Sequence, residues 1–147
     1  MKVCILTAGI GSRMGDISQS LNKSILPTNK GAIISEIFSS FKKDTKFVIA
    51  VGYKKKQVKD YITLAHPDLI KNIAYVEVDN YNMKFSGPGY SLFKCKKHLM
   101  EPFYAISCDT LLPNNFKFNT KPNQNILFEK KIDKNISKNY CNLQIRK

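Results

Sequence analysis

The sequence predicts an α/β sandwich of three layers around a mainly parallel, twisted sheet. Short apolar runs alternate with longer segments whose apolar residues recur at helical spacing, the pattern of strands joined by crossover helices. Three of these runs end on a glycine or an aspartate, residues that turn a chain as it leaves a sheet. At 147 residues the chain can bury one sizeable core but not two. It is read as a single domain, with a motif-bearing part over residues 1–113 and a tail over 114–147.

Residues 2–8 form the first apolar run and the first expected strand, with a glycine bend after it. Residues 16–30 are polar and irregular. Residues 32–41 place Ile33, Ile34, Ile37, Phe38 and Phe41 on one stripe of a helix. A second strand, 47–51, is closed by Gly52. The helix expected at 55–64 sets Val58, Tyr61 and Ile62 on one face and lysines on the other. A third strand covers 73–78, and the SGPG run at 86–89 reads as a turn. Residues 90–99 look helical, with Tyr90, Leu92 and Phe93 directed to the core, and Pro102 ends the segment. The fourth strand, 103–108, leads into Asp109. Beyond Pro113 the pattern weakens to a loop-like stretch, a short candidate strand at 126–128 and a basic tail.

The net charge of +13 comes from 24 basic and 11 acidic residues. Only Arg13 and Arg146 among the basic residues are arginines, and the lysines are scattered. Base readout and minor-groove insertion lean on arginine, so no specific nucleic-acid partner is expected. No apolar stretch is long enough to span a bilayer or form a signal-peptide core, which points to a cytoplasmic protein without a membrane partner. Cys4, Cys95, Cys108 and Cys141 form no C-x-x-C pair and read as free thiols. His66 and His98 read as surface residues.

In an open parallel sheet the carboxyl ends of the strands gather at one edge, where such folds bind ligands. Here that edge would collect Gly9 and Gly11, Gly52 and Tyr53, and Asp109. The bend is not a P-loop, because G-x-x-x-x-G-K-[ST] does not occur. It is also a poor dinucleotide fingerprint, since Met14 stands where a third small residue belongs. What it offers is backbone N–H groups that a phosphate can approach closely. Arg13, two residues on, brings a planar guanidinium able to grip phosphate oxygens in bidentate fashion.

The run LTAGIGSRMG resembles the signature loop of the nucleotidyltransferases that join a nucleoside triphosphate to a phosphorylated sugar or alcohol. The resemblance continues, in order, through NKSILP at 22–27, VGYKKKQVKDYI at 51–62 and ISCDTLL at 106–112. It implies a Rossmann-like fold of the nucleotide-diphospho-sugar transferase type. By the same resemblance, Leu6, Ala8, Gly9, Gly11, Ser12, Gly52 and Tyr53 would bind the nucleotide. Ser86, Gly87 and Pro88 would border the base. Arg13 would hold the β- and γ-phosphates, Lys23 would neutralise the α-phosphate and the incoming phosphate, and Asp109 would bind Mg²⁺. Taken alone, Asp109 equally suits a turn cap, and the 86–89 segment equally suits a plain loop.

Among such enzymes the chain looks most like bacterial cytidylyltransferases that activate phosphocholine or similar groups. This favours CTP and a small phosphorylated acceptor, for surface polysaccharide. A molybdopterin or isoprenoid nucleotidyltransferase shares the loop. The chain departs from the family at Asn22, which replaces the usual proline, and at Cys108, which replaces a common glycine. Family members also run longer and supply a second metal-binding aspartate. Neither Glu129 nor Asp133 sits in a recognisable motif. Three readings follow: part of a longer enzyme, a shortened member with altered metal binding, or a relative that binds nucleotide without turning it over.

Overall fold

In a computed structural model the described residues are 1–83, 86–113 and 116. They include a four-stranded, wholly parallel sheet and a two-residue hairpin. The strands of the sheet are β1 (Lys2–Leu6), β4 (Lys46–Val51), β5 (Ile73–Glu77) and β6 (Phe103–Ser107), in the spatial order β5-β4-β1-β6. Strands β2 (Pro27–Thr28) and β3 (Gly31–Ala32) form the hairpin. The helices are α1 (Ile17–Ser20), α2 (Ile33–Ser39), α3 (Lys55–Ala65) and α4 (Pro88–Lys94).

Strand β1 pairs on both sides, with Ile5 opposite Ile49 and Ile106. A strand covered on both faces has no solvent side, which is why its sequence is a continuous apolar run. Alternation then divides its side chains between two layers. Val3 and Ile5 join Phe47, Ile49 and Ile106 against Ile34, Ile37 and Phe38 of α2 and Val58 and Ile62 of α3. Cys4 joins Val48 and Ala50 on the opposite face, against Cys95 and Leu99 at the end of α4. The three-layer, mainly parallel α/β architecture is therefore as expected, with α2 and α3 on one face and α4 on the other. Cys4, Cys95 and Cys108 are free and buried. The expected loop after Pro113, the strand at 126–128, the basic tail, Glu129, Asp133, Cys141 and Arg146 lie outside the described residues.

Four local expectations are corrected. The 16–30 stretch holds α1, a 3₁₀ turn at Lys23–Ile25 and the start of the hairpin. The SGPG run is the start of α4, because Pro88 at the first helical position has its φ preset for a helix. Phe93 is 58% exposed. The buried positions of that helix face are Ser91 and Cys95, four apart, so Phe93 falls on the opposite side, with the Lys96 ammonium 4.3 Å from its ring centre.

His66 is half-buried rather than a surface residue, edge-on to Phe38 and Tyr61. Its Nε2 lies 2.7 Å from Ser35 Oγ, which also meets the Tyr61 hydroxyl at 2.9 Å. Burial lowers its pKa, so the unfolded chain takes up a proton more readily than the folded one. Stability from this site is full above the unfolded value of about 6.5 and is lost as pH falls toward the lower folded value. Urea unfolding at pH 7.5 and 5.5 is expected to show a smaller drop in midpoint for His66→Gln than for the parent. An equal drop would place the pH dependence elsewhere.

Candidate active site

At the carboxyl edge of the sheet the bend after β1 becomes a 3₁₀ turn over Ser12–Met14. Gly11 precedes it at φ +73°, in the left-handed region that side chains rarely adopt. A Cβ there would also meet Met14 Sδ at 3.3 Å. A Cβ on Gly9 would meet nothing within 4 Å, so that backbone stays open to a close approach. Arg13, on this turn, is exposed.

A hollow of about 390 Å³ opens over this turn. It is lined by residues 9–14, by Lys23, by Tyr81, Asn82 and Met83 from the loop after β5, and by Ser86. Gly9, Gly11, Ser12, Arg13, Lys23 and Ser86 are thus brought to one cavity. Leu6, Ala8, Gly52 and Tyr53 do not line it and lie behind it. The Leu6 carbonyl accepts from the Cys108 N–H at 3.3 Å, and the Ala8 carbonyl from the Tyr53 N–H at 3.0 Å. The Tyr53 hydroxyl donates to the Ser18 carbonyl at 2.8 Å. Gly87 and Pro88 open α4 beside Ser86, and the Gly87 carbonyl takes the Ser91 N–H at 3.1 Å.

Gly52 is needed for contact rather than for freedom. A Cβ on it would lie 2.9 Å from Ala8 Cβ, from the Ala8 carbonyl oxygen and from Tyr81 Cδ1. Two of these atoms belong to the chain just before the glycine bend, and the third to a wall of the hollow. Gly52→Ala is expected to destabilise the fold by about 1–3 kcal/mol through overpacking, read by denaturant unfolding. A change under about 0.5 kcal/mol would mean that the two loops separate freely.

Lys23 and Asp109 meet across the edge, Nζ to Oδ2 at 2.5 Å, with side chains 25% and 41% exposed. Ser107 Oγ donates to Oδ1 of the same carboxylate at 2.5 Å. Burial pushes the Asp109 pKa up, but the hydrogen bonds from Lys23 and Ser107 and the Lys23 charge outweigh it and hold the carboxyl below its ordinary value. Asp109 is therefore ionised, as a metal ligand must be. Burial, with the charge of Asp109, raises the neighbouring Cys108 thiol to about 11, so it stays protonated and inert. No cluster of three or more metal-ligating side chains occurs among the described residues. An ionised carboxylate such as Asp109 is the kind of ligand Mg²⁺ takes, one or two carboxylates with phosphate oxygens and water completing its shell.

Lys23 is held by a residue that sequence reading noticed only as a departure. Asn22 is fully buried. Its Nδ2 donates to the carbonyls of Thr7 at 3.1 Å and Tyr53 at 2.7 Å, and its Oδ1 accepts from the Ser24 N–H at 2.9 Å and Ser24 Oγ at 2.8 Å. Its own N–H donates to Gln57 Oε1 at 3.1 Å. One amide thereby ties the end of β1, the start of α3 and the turn that carries Lys23. Ile10, Met14, Tyr81, Asn82 and Met83 also went unmarked as lining residues. The last three follow the third strand of the sequence, and the carboxyl-edge argument applied there would have found them.

No protein-family model matches the chain. It is 30% identical over 130 residues to choline-phosphate cytidylyltransferase of Haemophilus influenzae, covering 87% of this chain and 52% of that protein. To choline-phosphate cytidylyltransferase of Streptococcus pneumoniae it is 29% identical over 118 residues, covering 78% of this chain and 47% of the other. The solved structure of CTP:phosphocholine cytidylyltransferase from Streptococcus pneumoniae superposes with a TM-score of 0.63 at 27% identity, over 79% of this chain and 48% of that one. The chain spans about half the length of these relatives. No helix among the described residues is long and apolar enough to cross a membrane. In its ordered motifs, its parallel sheet and these likenesses, the chain is similar to the nucleotidyltransferases.

Proposed function

We propose that the chain carries the nucleotide-binding and phosphate-handling part of a cytoplasmic nucleotidyltransferase. Its substrates are a nucleoside triphosphate, with CTP favoured, and a small phosphorylated acceptor such as phosphocholine or a sugar phosphate. The product serves surface-polysaccharide synthesis. The observation that carries this reading is the shared hollow of Arg13 and Lys23 above the glycine bend, with Asp109 in contact with Lys23. CTP and the phosphorylated acceptor are supported by the names of the relatives, two of them choline-phosphate cytidylyltransferases.

In this mechanism an acceptor phosphate oxygen attacks the α-phosphorus of the triphosphate. A new P–O bond forms, the bond to the bridging oxygen breaks, and the β- and γ-phosphates leave as pyrophosphate. Both reactants are anionic, so positioning and charge neutralisation carry the rate. The backbone of residues 9–12 cradles the phosphates, and the Arg13 fork holds the departing pair. Lys23 exchanges its contact with Asp109 for the α-phosphate and the incoming phosphate. Asp109 is the residue that would hold Mg²⁺, which would supply further neutralisation of phosphate charge.

The test is pyrophosphate release from a panel of triphosphates, each paired with phosphocholine and sugar phosphates. Release with one pair supports the reading. A second reading is a nucleotide-binding relative that does not turn over, favoured by the pairing of Asp109 with Lys23, where no group of three or more metal-ligating side chains occurs among the described residues. Mg²⁺-dependent nucleotide binding without release from any pair would select it.

A further inference from the structure

A second hollow, of about 380 Å³, lies at the opposite end of the sheet, where the strands begin. Its floor is the start of β4 and β5, and its rim carries Lys2, Lys46, Lys71, Lys97 and His98. It shares no residue with the first hollow. Strands of five residues separate the two ends by roughly 16 Å.

The positive charge around this hollow is only partly compensated. Lys2 is paired with Glu101 at 2.5 Å and donates to the His98 carbonyl at 2.8 Å. Lys46, Lys71 and Lys97 are exposed and form no ion pair among the described residues. The lysines of α3 behave otherwise: Lys55 and Lys59 share Glu77, and Lys56 pairs with Asp60. Lys30, Lys42, Lys43, Lys54 and Lys96 are likewise in no ion pair among the described residues, so what marks this end of the sheet is that three such lysines line one concavity. Glu101 registers the field. Its carboxyl is held below the ordinary value by the hydrogen bond and charge of Lys2, against a small effect of burial, and further by Lys46 and the chain's amino terminus.

We propose that this hollow is a binding site for a small polyanion, a phosphate ester or oligophosphate carrying at least two negative charges. Ammonium groups held around one concavity repel each other, and a multiply charged ligand relieves that repulsion while the low-dielectric walls focus the field on it. Lysines serve phosphate as point charges, and the volume is within the range of small-ligand pockets. The site is independent of the transferase reading, because none of its residues belongs to that machinery.

The experiment is an amide chemical-shift titration of the ¹⁵N-labelled chain with inorganic tripolyphosphate at constant ionic strength. Saturable shifts are expected at residues 71–74 and 97–98. They should persist in Arg13→Ala, and the affinity should fall roughly ten-fold or more in the Lys46→Gln, Lys71→Gln, Lys97→Gln triple variant. These three side chains are exposed, so the variant should keep its melting temperature. Shifts confined to residues 9–13, or unchanged affinity in the triple variant, would overturn the proposal. So would binding of anionic phospholipid vesicles or RNA through these lysines without any response to tripolyphosphate.

Discussion

Arg13→Ala is expected to slow pyrophosphate release by about 10²–10³-fold, the loss that follows removal of one preorganised electrostatic donor from a phosphoryl or acyl transfer site. Arg13 stands exposed on a short turn at the rim of the hollow, so its side chain contributes little to the core. The unfolding free energy should stay within about 0.5 kcal/mol of the parent. Arg13→Lys separates charge from shape. It keeps the cation but loses the planar fork, and should recover only part of the rate. Full turnover in Arg13→Ala would remove this side chain from the chemistry.

Asn22→Ala is expected to produce the largest loss of stability, about 3 kcal/mol, or a melting temperature lower by about 10 °C. The alanine would leave the Thr7 and Tyr53 carbonyls and the Ser24 hydroxyl and N–H without the side-chain partners they have now, in a fully buried position. Each such loss costs about 0.5–1.5 kcal/mol. Because Asn22 adjoins Lys23, turnover of the folded fraction should fall as well, with a larger effect on kcat than on KM for the nucleotide. Thermal unfolding followed by circular dichroism checks the first point and steady-state kinetics the second. A drop of less than about 3 °C would mean that the three segments hold together without this amide.

Much of this could be seen in the sequence, for physical reasons. The sheet could, because β1 and β4 are buried on both faces and need unbroken apolar runs. Helices α2 and α3 could, because each buries one stripe, and their apolar spacing records it. The glycine bend with Arg13, and Asp109, were legible as motifs after strands, and Lys23 as part of the NKSILP run between them. Asn22 was visible only as a substitution, since the two carbonyls its amide joins are 15 and 31 residues away and no local pattern encodes them. His66 was misjudged for the same reason: its burial comes from Phe38 and Ser35, on another helix. Phe93 was misplaced because the short α4 gives too few turns for its buried face to stand out. The role of Gly52 as a point of close approach depends on Tyr81, which no spacing rule links to it.

The most direct test of the central claim is a crystal structure of the chain with CTP and Mg²⁺ bound. The triphosphate is expected along the backbone of residues 9–13, with the Arg13 guanidinium on its β- and γ-oxygens and Lys23 drawn from Asp109 toward the α-phosphate. A triphosphate seated elsewhere, or lying in this hollow with the guanidinium turned away and the Lys23–Asp109 pair intact, would contradict it.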